Sequence, residues 1–513
     1  MVVSRVDTVG ETFVKCTVHA STHFVIGTVD KRLFGSFVEQ LGRCVYGGLY
    51  EKDHPLSDED GLRTDVMKLV RDLNVPVVRF PGGNYVSNHR WEDSVGPLQK
   101  RPMRLDLAWK ALDPNQFGIK EFMDWCRKVD TEPMMAINLG TRGIDEAKDL
   151  VEYCNFPGGT ELSELRKSHG SEAPYNIKMW CLGNEMDGPW QVGHKTAEEY
   201  GRLASEVGKA LKLFDPNLEL IACGSSNSSM ITFPAWEQTV LEHTWDIVDY
   251  LSLHMYFRND ADDAETFLAS NMKMDQFIET VVHVCDYVKA KKRSQKTIYL
   301  AFDEWNVWFH SNEQDKKEPD WEIGKHLLED VYTFEDALVV GCVLNSLLKH
   351  CDRVKVACLA QLVNVIAPIL TEDGGPSWVQ TIYWPFYYAS KYGRGEVLDI
   401  RLNVPSYENS TYGQVPYADA ALVYHEEKQE LDLFVINRSL DEEMELELDI
   451  IMFPAQLKCI EHISLYHDDL KAVNDKTNPD TVKPIIKAGG NGPLIAKKKS
   501  WNLFRFSVLQ ASM

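Results

Sequence analysis

The chain has 513 residues, 44% hydrophobic and 26% charged, which is enough apolar material for one large folded unit plus a smaller one and too much for a disordered chain. Its formal charge of −23 counts against a nucleic-acid or anionic-membrane partner, because phosphate recognition needs clustered Lys and Arg. Eleven cysteines without a CxxC pair fit a reducing compartment better than a disulfide framework.

In chain order, MVVSRVDTVGETFVKC shows no charged segment leading into a long apolar run, so no signal peptide is expected. No later stretch approaches the roughly 20 apolar residues of a membrane span. A cytoplasmic protein is expected. TFVKCTVHA and THFVIG read as β-strands able to join a sheet formed later in the chain.

Eight short apolar runs follow: 33–39, 75–80, 133–139, 177–183, 218–223, 249–256, 297–304 and 354–361. Between them lie stretches such as GLRTDVMKLVRDLN and AEEYGRLASEVGKALKLF, whose apolar residues recur at helical spacing. Strand–helix alternation implies parallel strands with right-handed crossovers, and eight such units imply a closed (β/α)8 TIM barrel. Beyond about residue 386, ALVYHEEKQELDLFVINRS, MELELDIIMF and NLFRFSVLQ alternate with period two, as in an antiparallel β-sandwich. The expected division is 1–25 joining the sandwich, 26–385 barrel and 386–513 sandwich. The run Lys497-Lys498-Lys499 reads as solvated surface.

Barrel active sites sit at the C-terminal strand ends. Those ends carry Glu39, Asn84 just beyond Arg79, Asn138, Asn184-Glu185, Ser225, His254 with Tyr256, Glu304, and Gln361. Glu185 in WCLGNEMDGPW and Glu304 in LAFDEWNVW follow the fourth and seventh strands, across the barrel mouth from each other. Glycoside hydrolysis needs one carboxylic acid to protonate the leaving oxygen and one carboxylate to trap the sugar carbon, with a separation of about 5 Å in retaining enzymes. A lone glutamate after a strand is more often structural; two, one preceded by Asn and both flanked by Trp, favour catalysis.

FPGGNYVSNHRW lacks the spacing of a phosphate-binding loop and reads as a tight turn presenting Asn84. HExxH, EF-hand, Cys/His quartet and GxSxG patterns are absent from the sequence, so neither metal nor organic cofactor is expected. The acidic segment 313–322 reads as a solvated lid edge. Trp91, Trp109, Trp305, Trp308 and Trp378 are each either a sugar-stacking face or core. The other classes to separate are a catalytically dead sugar-binding protein, which would lack one glutamate, and a metal-dependent sugar isomerase, which would need carboxylate/His sets.

FGSFVEQLGRCVYGGLY, VVRFPGGNYVSNHRW, RLDLAW, WCLGNEMDG, SLHMYF, FDEWNVW and ACLAQLVNVIAPI, in this order, closely resemble the α-L-arabinofuranosidases of glycoside hydrolase family 51. The resemblance covers about residues 25–390. It implies a barrel with a C-terminal β-sandwich, a homo-oligomer that is often a hexamer, and release of terminal arabinofuranosyl groups from arabinoxylan or arabinan fragments. It further implies Glu185 as acid/base and Glu304 as nucleophile. Glu39, Asn84, Asn184 and Gln361 are implied to bind furanose hydroxyls, Tyr256 to contact nucleophile and sugar, and Trp109 and Trp308 to line the subsite. WKALDPNQFG departs from the pattern, with Asp113 where a Glu is expected; the departure should perturb the rim beyond Trp109. Related retaining specificities, endoglucanase or β-xylosidase, stand as the alternative.

Overall fold

The structure, a computed structural model, describes residues 13–451 and 455–510. The segment 1–12, read above for a leader, lies outside the described residues, as does the end of MELELDIIMF.

Two strands, β1 (Phe13–Ser21) and β2 (Val25–Thr28), precede the barrel. Its staves are β3 (Gly35–Phe37), β4 (Val77–Phe80), β5 (Glu132–Ala136), β6 (Met179–Leu182), β7 (Glu219–Cys223), β8 (Tyr250–Phe257), β9 (Tyr299–Val307) and β10 (Val354–Ala360). They close in the order β3 to β10 with β10 returning to β3, all parallel. All eight apolar runs become staves. The first is shorter than its pattern because Lys31–Phe34 form a 3-10 turn capped by the Asp30 side chain.

Each stave is followed by a helix: α1 (Thr64–Leu73), α2 (Ile119–Val129), α3 (Ile144–Asn155), α4 (Ala197–Phe214), α5 (Ala235–Thr244), α6 (Asn271–Lys291), α7 (Phe334–Lys349) and α8 (Tyr383–Tyr392). Sequence chemistry sets their ends. Thr196 accepts from Glu199 N at the start of α4, and Glu199 reaches back, so two otherwise orphaned donors are satisfied. Helix α1 stops at Asn74, which adopts the left-handed conformation that Asn tolerates. Buried Trp125, Trp180, Trp236 and Trp245 fill the space around the staves.

The second body comprises β11 (Glu396–Leu398), β12 (Arg401–Asn403), β13 (Ala418–His425), β14 (Glu430–Asn437), β15 (Glu443–Ile451), β16 (Ala455–Leu465), β17 (Ile485–Ala488), β18 (Leu494–Ala496) and β19 (Ser500–Gln510). One sheet runs β12-β1-β15-β18 and the other β2-β11-β13-β14-β19-β16-β17. Both pre-barrel strands therefore belong to the sandwich. β1 pairs with β15 in parallel, and every other pairing is antiparallel. The sandwich has its own core of Val14, Cys16, Val18, Leu422, Leu433 and Phe504, while Trp501 joins the barrel core and lies against Gly341 of α7. The eleven cysteines are all free and buried, where a thiol packs as a small hydrophobe. No described helix is long and apolar enough to cross a membrane.

Candidate active site

The C-terminal ends of the staves open into a cavity of about 550 Å³. Eight of the nine residues expected there line it: Glu39, Asn84, Trp109, Glu185, Tyr256, Glu304, Trp308 and Gln361. The ninth, Asn184, lies behind the wall, 1% exposed. Its Oδ1 accepts from Arg79 Nη2 at 2.7 Å, and its amide faces Asn84 Oδ1 at 3.4 Å and Gln191 Oε1 at 3.3 Å.

Beyond β6 the backbone turns sharply. Gly183 and then Glu185 have positive φ, 94° and 43°. The left-handed region costs a glutamate energy that glycine does not incur, and such strain persists where surrounding contacts hold it. Here the contacts are on the carboxylate: His254 Nδ1 lies 2.9 Å from Oε1 and Trp190 Nε1 donates to Oε2 at 2.6 Å.

Glu304 extends from β9, beside His254 in the β8–β9 register. It accepts from Arg79 Nη1 at 2.6 Å and from the Tyr256 hydroxyl at 2.9 Å. One oxygen of Glu185, one of Glu304 and a ring nitrogen of His254 all lie within 4.8 Å of one another.

The two glutamates differ in company. Burial, reinforced by the Glu304 charge, raises the Glu185 carboxyl above the ordinary range although His254 and Trp190 pull the other way. Glu304 faces a guanidinium that is itself 1% exposed and stays charged. Beneath them, burial would raise Asp303, but Arg79, His254 and Ser252 outweigh it and hold the group below the usual carboxylate range. Burial would strip His254 of its proton, yet Glu304, Asp303 and Glu185 surround the ring and push it up to about 10. His254 is thus an imidazolium, a donor on both nitrogens. The trio Glu185–His254–Glu304 also has the spacing of a cation site.

Opposite stands a second set. Glu39 Oε1 accepts from Tyr85 N at 2.9 Å and from Trp109 Nε1 at 3.0 Å, and Gln361 Nε2 reaches Oε2 at 3.3 Å. Burial, with Glu304 and Asp106 adding repulsion, pushes Glu39 up to about 8. The second glycine of FPGGN is explained by this residue, since a Cβ on Gly83 would fall 2.2 Å from Glu39 Oε2. Trp109 sits on a turn that Asp106 Oδ1 gathers through Ala108 N at 3.0 Å and Trp109 N at 3.4 Å. Trp308 packs edge-on to Tyr256, ring centres 5.2 Å apart.

Other expectations resolve differently. Trp305 is fully buried and Trp91 packs on Tyr153, so both are core; Trp378 is outside the cavity lining. Asn138 braces its own loop through Thr141 and His89, and Ser225 N is held by Glu237. Segment 313–322 runs beside the Trp109 hairpin, with Leu112 N donating to Glu322 O at 3.1 Å. Asp113, the departure from the family pattern, is 5% exposed and accepts from the Tyr46 and Tyr85 hydroxyls, because the hairpin 104–106/111–113 turns its last residue inward. Sequence reasoning undervalued Arg79, Asp303, His254 and Trp190. A charged residue inside the apolar run VVRF was the available signal for Arg79, and the second Trp of WCLGNEMDGPW for Trp190.

Two family models match the chain: α-L-arabinofuranosidase 1 domain over residues 69–278 and α-L-arabinofuranosidase C-terminal domain over 303–500. Among relatives, an intracellular exo-α-(1→5)-L-arabinofuranosidase of Halalkalibacterium halodurans is 56% identical, over 94% of this chain and 97% of its own. Its Bacillus subtilis namesake, numbered 1, is 56% identical over 90% and 91%. A family 51 α-L-arabinofuranosidase structure from Bifidobacterium longum superposes with TM-score 0.91 at 42% identity, covering 96% of this chain and 100% of that one. An arabinose complex of the Thermotoga maritima α-L-arabinofuranosidase gives 0.84 at 33%, with coverage of 96% and 100%.

Proposed function

The chain belongs to the α-L-arabinofuranosidases of glycoside hydrolase family 51, and from that premise we propose that it is a retaining exo-enzyme releasing terminal arabinofuranosyl groups from arabinan or arabinoxylan oligosaccharides. The observation that carries the mechanism is the closeness of Glu185 and Glu304, whose nearest oxygens lie within 4.8 Å. Retaining pairs stand about 5–5.5 Å apart, whereas inverting pairs leave room for a water at about 6.5–9.5 Å.

Glu304, oriented by Arg79 and Tyr256, attacks the anomeric carbon. The bond to the leaving oxygen breaks as protonated Glu185 gives that oxygen its proton. Water then adds to the same carbon, the ester to Glu304 breaks, and Glu185 takes the water's proton. The raised carboxyl of Glu185 favours the acid form the first step needs. Glu39, Asn84 and Gln361 hold the furanose hydroxyls, Asn184 bears on the sugar or on Asn84 and Arg79, and Trp109 and Trp308 wall the ring. No step calls on a metal or cofactor. The relatives named intracellular support a cytoplasmic enzyme, and the family resemblance supports a homo-oligomer, a hexamer, measurable by light scattering. We take the barrel to run from about residue 30 through α8, which ends at Tyr392, so that the expected bounds 26 and 385 move outside β2 and α8, and the sandwich to hold β11 to β19 together with β1 and β2.

A nitrophenyl-glycoside panel tests the specificity: α-L-arabinofuranoside should be hydrolysed far faster than β-D-xyloside or β-D-glucoside. Glu304→Ala should abolish turnover, with azide restoring a product of inverted configuration. Rescue with retained configuration reassigns the nucleophile.

A further inference from the structure

On the acid/base reading of Glu185 above, we propose that Trp190 is a positioning residue for the second half of the reaction, its indole N–H holding Glu185 Oε2 while that carboxylate lacks its proton and leaving when a bound aglycone and the proton replace it. Both oxygens of Glu185 face donors: His254 Nδ1 on Oε1 at 2.9 Å and Trp190 Nε1 on Oε2 at 2.6 Å. The indole N–H binds the ionised carboxylate more strongly than the acid, so this contact favours the state without the proton. The first step needs the opposite state. His254 is buried and keeps Oε1, which leaves Oε2, where the indole sits, as the atom that carries the proton to the leaving oxygen, and the exposed indole is the partner that yields to an incoming aglycone.

Trp190 is built to move where the other partners are not. It is 47% exposed and lies in the loop after β6, lining the cavity with Ser226, Ser228 and Lys273. The charged or titratable groups facing Glu185 are His254 and Tyr256 from β8 and Glu304 from β9; Asp303 and Arg79 lie one layer deeper, and Asp187 is on its own loop. None of these is exposed. The ring folds over Gly188, where a Cβ would fall 2.5 Å from Trp190 Cε2. Glycine at 188 thus permits the ring position that reaches Glu185. After the aglycone leaves, the carboxylate is ionised, and the returning indole fixes one lone pair of Oε2 while the attacking water uses the other.

The experiment compares Trp190→Phe, Gly188→Ala and Glu185→Ala on two substrates. One is an aryl arabinofuranoside with an acidic phenol, for which glycosyl-enzyme breakdown limits turnover; the other is an arabino-oligosaccharide with a sugar leaving group. Trp190→Phe should lower kcat on the aryl substrate by about tenfold, the worth of one hydrogen bond to a charged group, with a burst approaching one phenol per site. The burst also counts correctly folded sites. On the oligosaccharide, the basic limb of kcat/KM should move up by about one pH unit, since ionised Glu185 has lost a donor. Gly188→Ala should shift both readouts in the same direction. A higher KM on the oligosaccharide with kcat, burst and limb unchanged would make the ring only an aglycone wall and overturn the proposal. Glu185→Ala separates the two readings. If it spares the rate of the phenol burst on the aryl substrate but slows steady turnover, which azide restores, while Trp190→Phe changes nothing, only the role of Trp190 fails; if it slows that burst as much as kcat/KM on the oligosaccharide, the acid/base assignment fails and the role of Trp190 with it.

Discussion

Replacing Arg79 by Met should destabilise the protein in a pH-dependent way. Arg79 Nη1 lies 2.6 Å from Glu304 and Nε lies 3.2 Å from Asp303, and all three side chains are buried. Met fills much of the space but leaves two carboxylates facing each other without the guanidinium. Removing one partner from a buried ion pair costs about 3–5 kcal/mol. An unfolding entropy of ~2.1 cal/mol/K per residue over 513 residues makes 1 kcal/mol worth ~1 °C, so Tm should fall by about 3–5 °C at pH 7. The sign with pH follows from Asp303. Its folded pKa is depressed, so in the parent its contribution is present above the unfolded value and is lost as pH falls through the folded one. Without Arg79 the buried carboxylate resists ionisation instead, and the penalty grows as pH rises above about 4. Scanning calorimetry of both proteins at pH 5 and pH 8 is the assay. A Tm difference that is absent, or no larger at pH 8 than at pH 5, refutes the reasoning.

Three further outcomes are expected. His254, held up to about 10, stabilises fully below the unfolded value near 6.5 and progressively less up to 10; Tm should therefore fall between pH 7 and 10 in the parent and less steeply in His254→Gln, and parallel curves would argue against the imidazolium. Asn184→Ala should lower kcat/KM on arabinofuranosides by roughly ten- to a hundredfold. Equal loss on a 2-deoxy substrate would mean that Asn184 acts through Arg79 and Asn84 and not on the 2-hydroxyl. Gly341→Ala places a Cβ 2.5 Å from Trp501 Cδ1 and should cost about 1–3 kcal/mol in urea unfolding without changing arabinofuranoside turnover, and an unaltered midpoint would show that the junction yields.

The staves were legible because parallel barrel strands are covered on both faces and read as continuous apolar runs, each followed by a stretch with helical spacing. Their polar termini were legible for the same reason: Glu39, His254, Glu304 and Gln361 interrupt or end such runs. Depth was not legible. Asn184 precedes Glu185 by one residue, yet the left-handed turn sends one side chain into the cavity and the other behind it. Arg79 was visible as a charge in an apolar strand, but its partners Asp303, Glu304 and Asn184 come from two other staves and share no sequence pattern with it. The burial of Asp113 was not legible because three-residue hairpin strands are too short to show by alternation which face turns inward.

The pairing of β1 with β15 joins Phe13 to Glu443 and Ser21 to Ile451. β1 therefore meets this neighbour only after some 430 more residues have been synthesised, the separation between His19 and Asp449. At 5–20 residues per second that interval is roughly 20–90 s. Until β12 is made some 380 residues later, His19 pairing with Arg401, β1 has no strand neighbour, and the side that β15 covers stays an open edge for the rest of the interval, the kind of segment that captures other chains. Lys15, exposed in the finished sheet, sets a charge in the middle of that edge and makes pairing with a foreign strand less favourable while the proper one is still being made.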